Sequence, residues 1–328
     1  MSTQQPIGSG FTAYSTAAEV MAGIDLTGKT AIVTGGYSGL GLETVRVFRA
    51  AGAEVIVPAR DTARASKQLA GIDGVVVAEL DLLDPVSIDG FADRFLATGR
   101  ALHLLVNSAG IMGTPLARDG RGFESQFATN HLGHFQLTTR LLPALRAAQG
   151  ARVVAVSSRG HRYSPVVFDD PNFENREYAP YSAYGQSKTA NVLFAVELDN
   201  REQDNGIRAF AVHPGSIITN LAQNADREVL RRGGFLDDDF QPIIDPSRGL
   251  KTPEQGAATQ VWCATSPQLD GLGGLYCEDV EIATVHSGAE PDTDVLALTP
   301  GTFGVLPYAI DPDNARRLWK FSEELLRY

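Results

Sequence analysis

Tyr184 and Lys188 stand four positions apart in the run Tyr184-Gly185-Gln186-Ser187-Lys188. If the segment is helical, that spacing puts both side chains on one face. An ammonium beside a phenol favours the phenolate. A phenol so tuned suits the interconversion of carbonyls and alcohols, in which a proton must reach the developing alkoxide as hydride reaches the carbon. A free tyrosine, with a pKa of about 10, is too weak an acid for reduction at neutral pH and too seldom ionised for the reverse oxidation. Lowering that value by about 3 units requires roughly 4 kcal/mol of differential stabilisation. Such pairs also occur on solvated helices, so the motif gains weight only from its neighbours.

The first neighbour is a glycine turn. Thr30 to Thr34 is a short β-branched run, followed by Gly35-Gly36-Tyr37-Ser38-Gly39-Leu40-Gly41 and then a helical pattern through Ala51. Strand, glycine turn and helix in this order are the context of a dinucleotide site. Gly35 permits the tight turn, Gly39 lets the backbone approach a pyrophosphate, and Gly41 brings the helix against the strand. With a nicotinamide nearby, the positive ring of its oxidised form would join Lys188 in favouring the phenolate.

The Gly-x-x-x-Gly-x-Gly turn, Asn107-Ser108-Ala109-Gly110, Ser158, Tyr184-x-x-x-Lys188 and Pro214-Gly215 occur in that order. Together they resemble the short-chain dehydrogenase/reductase family over roughly Thr27 to Glu281. Within it, Thr129-Asn130-His131-Leu132-Gly133-His134-Phe135, the long gap after Ser158, and Lys251-Thr252-Pro253-Glu254-Gln255-Gly256-Ala257 look like the retinol dehydrogenase and WW-domain oxidoreductase branch.

The resemblance implies a catalytic set of Asn130, Ser158, Tyr184 and Lys188. Ser157 and Ser158 both end an apolar strand, where successive side chains alternate in direction. By resemblance Ser158 holds the substrate oxygen against Tyr184, which leaves strand-end capping to Ser157. Asn130 sits in an apolar-periodic segment where asparagine is a poor helix former, with Gly133 as a second weak point. The family reading has Asn130 distort its helix so that a backbone carbonyl binds a water linked to Lys188.

For the cofactor, Gly35, Tyr37, Ser38, Gly39, Leu40 and Gly41 line the pyrophosphate turn, and Arg60 follows Gly41 by 19 positions. At that place an acid would bind the ribose hydroxyls of NAD and an arginine the 2′-phosphate of NADP, so NADP(H) is favoured over NAD(H). Asp61 is adjacent but reads as a helix cap. Tyr37 and Ser38 stand where NADP enzymes often carry a basic residue. The resemblance places Asp81 and Leu82 at the adenine and Asn107, Ala109 and Gly110 along the ribose. Tyr184 and Lys188 touch the nicotinamide end, and Pro214, Gly215, Ile217 and Thr219 its carboxamide or phosphates.

Between Ser158 and Tyr184 an insertion carries Tyr163, Phe168, Phe173, Tyr178 and Tyr181, which either wall an apolar substrate or pin the loop to the body. Ala222 to Leu250, with Gly233-Gly234, Phe235, Leu236, Ile243 and Ile244, suits a substrate lid. The expected substrate is a small apolar ketone or aldehyde, or the corresponding alcohol.

The elements that must position these groups form an α/β pattern. Apolar runs at Glu54 to Val57, Val75 to Leu80, Leu102 to Val106, Val153 to Val156 and Ala209 to Val212 each precede a longer amphipathic or turn-rich segment. Short apolar runs between helices imply parallel strands covered on both faces, a doubly wound Rossmann sheet. Pro58 should end the second strand, because proline cannot donate to a ladder. The 328 residues read as an N-terminal arm (1–26), a single dehydrogenase/reductase domain (27–285) and a C-terminal extension (286–328) packing on it. Asp311-Pro312 starts a last helix through Leu326.

A net charge of −11 argues against nucleic acid or anionic membrane as partners. The sequence contains no apolar stretch approaching about 18 residues, so no membrane anchor is expected. Two cysteines make no disulfide framework and no metal motif, which suits a reducing cytoplasm. His131 and His134, three apart, read as packing residues rather than metal ligands, and a homo-oligomer is compatible with the chain. Two other functions compete. A non-catalytic dinucleotide-binding sensor or scaffold would be expected to lack a member of the catalytic set, and all four are present. A nucleotide-sugar epimerase predicts a Gly-x-x-Gly-x-x-Gly turn instead.

Overall fold

The computed structural model describes residues 3–219, 221, 226–286 and 303–327. The strands are β1 (Thr30–Val33), β2 (Glu54–Ala59), β3 (Val75–Glu79), β4 (Leu104–Asn107), β5 (Ala151–Val156), β6 (Ile207–His213), β7 (Leu275–Glu278) and β8 (Glu281–Ile282). The helices are α1 (Ala17–Val20), α2 (Gly39–Ala50), α3 (Thr62–Leu69), α4 (Pro85–Leu96), the single turn α5 (Ser125–Phe127), α6 (Gly133–Ala147), α7 (Pro180–Glu202), α8 (Arg227–Arg232), α9 (Pro253–Thr265) and α10 (Pro312–Leu326).

The strands form one sheet in the order β3-β2-β1-β4-β5-β6-β7-β8, parallel except for the last pair. The chain order reverses between β1 and β4. Such a switch point opens a crevice beyond the carboxyl ends of the strands. Both faces are covered, as the continuous apolar runs require. Val33, Val106 and Val154 pack with Phe48 of α2 and Trp262 of α9 on one side. Ile32, Leu105 and Val153, each one residue away, pack with Phe91 of α4, Phe135 of α6 and Phe194 of α7 on the other.

Pro58 does not end β2, contrary to the expectation from its missing N–H. The strand runs to Ala59, with Pro58 opposite Ala78 of β3. The Ala59 carbonyl accepts from Leu80, so Ala59 faces β3 and Pro58 the β1 side. Pairing with β1 has already stopped at Ile32 opposite Ile56, and no ladder bond is lost.

β7 and β8 extend the sheet beyond the sequence reading. They join through Asp279 and Val280, both left-handed (φ 51° and 61°), the signature of a tight two-residue hairpin. The N-terminal arm closes this edge. The Gln4 amide donates to the carbonyls of Tyr276 and Ala283 and accepts from the Tyr276 amide, while the Glu281 carboxylate accepts from the amides of Ile7, Gly8 and Ser9. At the other terminus α10 begins as expected, capped by Asp311, and packs Trp319 against Phe135 and Phe194. Residues 287–302 of the C-terminal extension lie outside the described residues.

Candidate active site

At the switch point lies a crevice of about 520 Å3, walled by the glycine turn after β1 and by the ends of β4, β5 and β6. It reaches from Arg60 at one end to Phe235 at the other.

Tyr184 and Lys188 lie on α7, whose first turn carries Pro180 and whose middle is buried on almost every side. Three bonds bind this helix to the end of β5: the Lys188 ammonium (2.9 Å) and Asn191 Nδ2 (3.1 Å) donate to the Val156 carbonyl, and the Ser157 hydroxyl donates to the Lys188 carbonyl (2.7 Å). Ser157 therefore ties strand to helix rather than capping the strand end. Ser158 points the other way, into the crevice, and its Oγ accepts from the Gly160 amide (2.9 Å) as the cap of a 3-10 turn over Arg159–Tyr163. One lone pair is thus engaged, and the hydroxyl proton is left for a partner in the crevice. Gly160 is required here, because a Cβ would lie 2.7 Å from the Tyr184 ring.

The electrostatics differ from the expectation of a lowered phenol. Burial pushes Tyr184 up to about 12, opposed by a hydrogen bond from the Ser158 side chain. Lys188 sits 5.4 Å from the centre of the tyrosine ring, and burial pushes its own pKa down to about 7. A lysine that burial has made half neutral near pH 7 cannot by itself hold a buried phenol ionised.

Asn130 does interrupt its helix. Ala128–Leu132 is a π-helical turn between α5 and α6, a distortion frequent at functional sites. The Asn130 side chain accepts from the Ile111 amide (2.9 Å) and donates to the Ile111 carbonyl (3.0 Å) and to Ser187 Oγ (2.9 Å), so it clamps the loop after β4 to α7. Its backbone carbonyl meets His134 Nδ1 at 3.0 Å. His134 Nε2 in turn meets Thr34 Oγ1 (2.9 Å), and His131 Nε2 meets Ser322 Oγ (2.8 Å). Burial pushes both imidazoles down, to about 4 and about 3, so they are neutral packing groups.

The glycine turn fits a dinucleotide. A Cβ on Gly41 would lie 2.5 Å from the Gly35 carbonyl, and Gly35 is left-handed (φ 67°) against Ala109. Ser38 occupies the N-cap of α2 without a side-chain bond, which leaves the first amides of the helix open to the crevice for an anion. Tyr37, Ser38, Leu40, Asp81, Leu82, Ala109, Gly110, Pro214, Gly215, Ile217 and Thr219 all line the crevice. Asp81 also accepts from the Leu83 amide, so its carboxylate already stabilises a turn. Asn107 is the exception. Its side chain is buried, points away from the crevice and donates to Thr138 of α6 (3.0 Å).

Arg60 is exposed at the rim of the crevice, and Asp61 accepts from the Arg64 amide as the cap of α3. Arg64, in the first turn of α3, lines the crevice as well. Neither guanidinium makes an ion pair among the described residues. The sequence reading missed Arg64; its four-residue spacing from Arg60 was the available signal.

The aromatic insertion divides between the two roles. Tyr163 and Tyr181 line the crevice edge to face, 6.0 Å apart. Phe168 packs instead on Phe321 of α10, and Phe173 between Tyr178 and Arg176. In the segment expected to form a lid, Val229, Leu230 and Phe235 reach the crevice, whereas Leu236 is buried and Ile244 is exposed. Residues 222–225 at the start of this segment lie outside the described residues.

A family model described as short chain dehydrogenase matches residues 29–229. A protein of Streptomyces antibioticus named "Probable oxidoreductase" is 46% identical over 93% of this chain and 99% of its own length. Retinol dehydrogenase 12 of Mus musculus is 36% identical over 92% of this chain and 88% of its own. Among solved structures, an uncharacterized protein from Mycobacterium paratuberculosis superposes with a TM-score of 0.70 at 33% identity, covering 93% of this chain and 96% of the other.

Proposed function

The chain belongs to the short-chain dehydrogenase/reductase family, in the branch that includes retinol dehydrogenases, and is an oxidoreductase; we propose that it moves a hydride between NADP(H) and an apolar ketone or aldehyde, or the corresponding alcohol, with Tyr184 as general acid and base. The observation that carries this reading is that Ser158, Tyr184 and Lys188 line the crevice together with the glycine turn, with the Lys188 ammonium 5.4 Å from the centre of the Tyr184 ring.

The glycine turn with Arg60 and Arg64 would hold NADP(H), which would supply or accept the hydride and, when oxidised, would add positive charge that favours the phenolate. Ser158 donates to the substrate oxygen. Tyr184 passes its proton to that oxygen during reduction and removes it during oxidation. Lys188, near neutrality in its pKa, exchanges protons on the route to solvent, and Asn130 completes that route through a water at its backbone carbonyl. Val229, Leu230, Phe235, Tyr163 and Tyr181 enclose the substrate and exclude water.

Preference for NADP(H) over NAD(H) is supported by Arg60 and Arg64 at the adenosine end and by the use of Asp61 as a helix cap. No helix among the described residues is long and apolar enough to cross a membrane. The two cysteines, Cys263 and Cys277, are both free, which supports a reducing cytoplasm as the location. A nicotinamide-fluorescence screen of purified protein against ketones, aldehydes and alcohols, with NADPH and NADP, tests the proposal. Turnover confined to NADH, or none with any carbonyl, contradicts it.

A further inference from the structure

His161 is fully buried behind Ser158 and lines no part of the crevice. Its Nδ1 lies 2.9 Å from the Ser158 carbonyl, which also accepts from the His161 backbone amide at 3.0 Å. On the far side of the ring, the backbone amide of Leu306 donates to Nε2 at 3.1 Å. A carbonyl can only accept and a backbone amide can only donate, so the two contacts fix the tautomer: the proton is on Nδ1 and the lone pair on Nε2. The His161 carbonyl is held too, by the Tyr308 hydroxyl (2.7 Å) and by Thr189 Oγ1 (3.0 Å), and Thr189 is the residue after Lys188. The ring packs edge on against Tyr276 of β7 at 5.1 Å. The C-terminal segment, β7, α7 and the catalytic serine therefore meet at one imidazole.

We propose that His161 is a positioning residue for catalysis: held from behind by Leu306 and Tyr308, its imidazole fixes the Ser158 carbonyl and so aims the Ser158 hydroxyl at the reacting oxygen and at Tyr184. The C-terminal segment thereby becomes part of the active-site framework although it does not line the crevice at these residues. The local geometry gives the reason this residue type is needed. Ser158 is extended (φ −168°, ψ 158°) where β5 turns into the 3-10 segment, and its carbonyl points away from the crevice while its hydroxyl points in. A shift of the Ser158 backbone at this turn would carry both. Two donors from His161 on one carbonyl oppose that shift, and a ring braced by a backbone amide holds its place better than a free side chain would.

The inference rests on the role proposed above for Ser158, and its test separates the two. In the complex with NADP, the phenolate of Tyr184 is followed by ultraviolet difference absorbance against pH, with Tyr184→Phe as the blank. Because the Ser158 bond favours the phenolate, its loss raises the pH of ionisation. His161→Leu should raise the midpoint by about one unit and slow hydride transfer on the order of 10-fold, with NADPH affinity held within about twofold. His161→Asn, whose amide nitrogen can stand where Nδ1 stands, should restore both. If His161→Leu does not fold, Tyr308→Phe removes one brace from the outside and should move the midpoint in the same direction by less. Ser158→Ala is the reference. A raised midpoint in Ser158→Ala with wild-type behaviour in folded His161→Leu, or in Tyr308→Phe where His161→Leu fails to fold, overturns the inference alone. No change in Ser158→Ala overturns the role of Ser158 itself.

Discussion

Gly160 and Tyr184 approach so closely that a methyl group on the glycine would lie 2.7 Å from the tyrosine ring and 3.3 Å from Ser158 Oγ. The phenol proposed as general acid and base is thus seated by a residue with no side chain. Gly160→Ala should displace the ring and reduce turnover by roughly 10-fold or more, since small misplacements of reacting groups are costly. NADPH affinity, measured by fluorescence titration, should stay near wild type because the glycine turn is remote from this contact. Full activity in Gly160→Ala would show that the ring position is not critical.

Arg60 and Arg64 both line the crevice, where the proposal puts the 2′-phosphate of NADP. Arg60→Ala should weaken NADPH by about 1.5 to 3 kcal/mol, the range for hydrogen bonds to charged groups, and leave NADH almost untouched. Arg60→Ala combined with Arg64→Ala should abolish the preference. Calorimetric titration with both cofactors decides it, and equal losses for NADPH and NADH would contradict the assignment.

The lid makes a prediction that separates two adjacent residues. Phe235 faces the crevice and Leu236 is 2% exposed inside the lid itself. Phe235→Ser should raise KM for a bulky apolar ketone several-fold more than for a small one, by roughly the 1 to 3 kcal/mol that lost hydrophobic contact is worth. Leu236→Ser should instead loosen the whole segment, seen as faster proteolysis there, and raise KM for both ketones alike.

Lys188 costs stability for the sake of its chemistry. Its folded pKa of about 7 lies below the ordinary lysine value of 10.5, so between those values the unfolded chain binds more protons and wild-type stability rises with pH. Lys188→Met removes that dependence, and the Val156 carbonyl it leaves still accepts from Asn191 Nδ2 (3.1 Å). The variant should be inactive yet more stable than wild type by about 1 to 3 kcal/mol below pH 7, with the gain shrinking toward pH 10. Denaturant melts at several pH values check the sign.

Much of the site was legible because its signals are local. Tyr184 and Lys188 need only a helix, the glycines of the turn only a strand before and a helix after, and Asp311-Pro312 only the start of α10. What the sequence did not show depends on neighbours distant in sequence. Pro58 stays in its strand because β1 has already left that side. Asn107 turns to Thr138 because the end of β4 faces α6, and Phe168 is claimed by α10 rather than by the crevice. The β7–β8 hairpin was hidden because non-glycine Asp279 and Val280 make its turn. His161 meets Leu306 across 145 positions, a contact that no local pattern signals.

The central claim is that Tyr184 exchanges a proton with substrate while hydride moves to or from NADP(H). It is tested most directly by single-turnover NADPH oxidation with the best ketone from the panel, comparing wild type with Tyr184→Phe at matched cofactor saturation. The phenol proton is absent in the variant and the pocket is otherwise unchanged, so the hydride-transfer rate should fall at least about 100-fold with NADPH affinity near normal. An undiminished rate in Tyr184→Phe would contradict the mechanism.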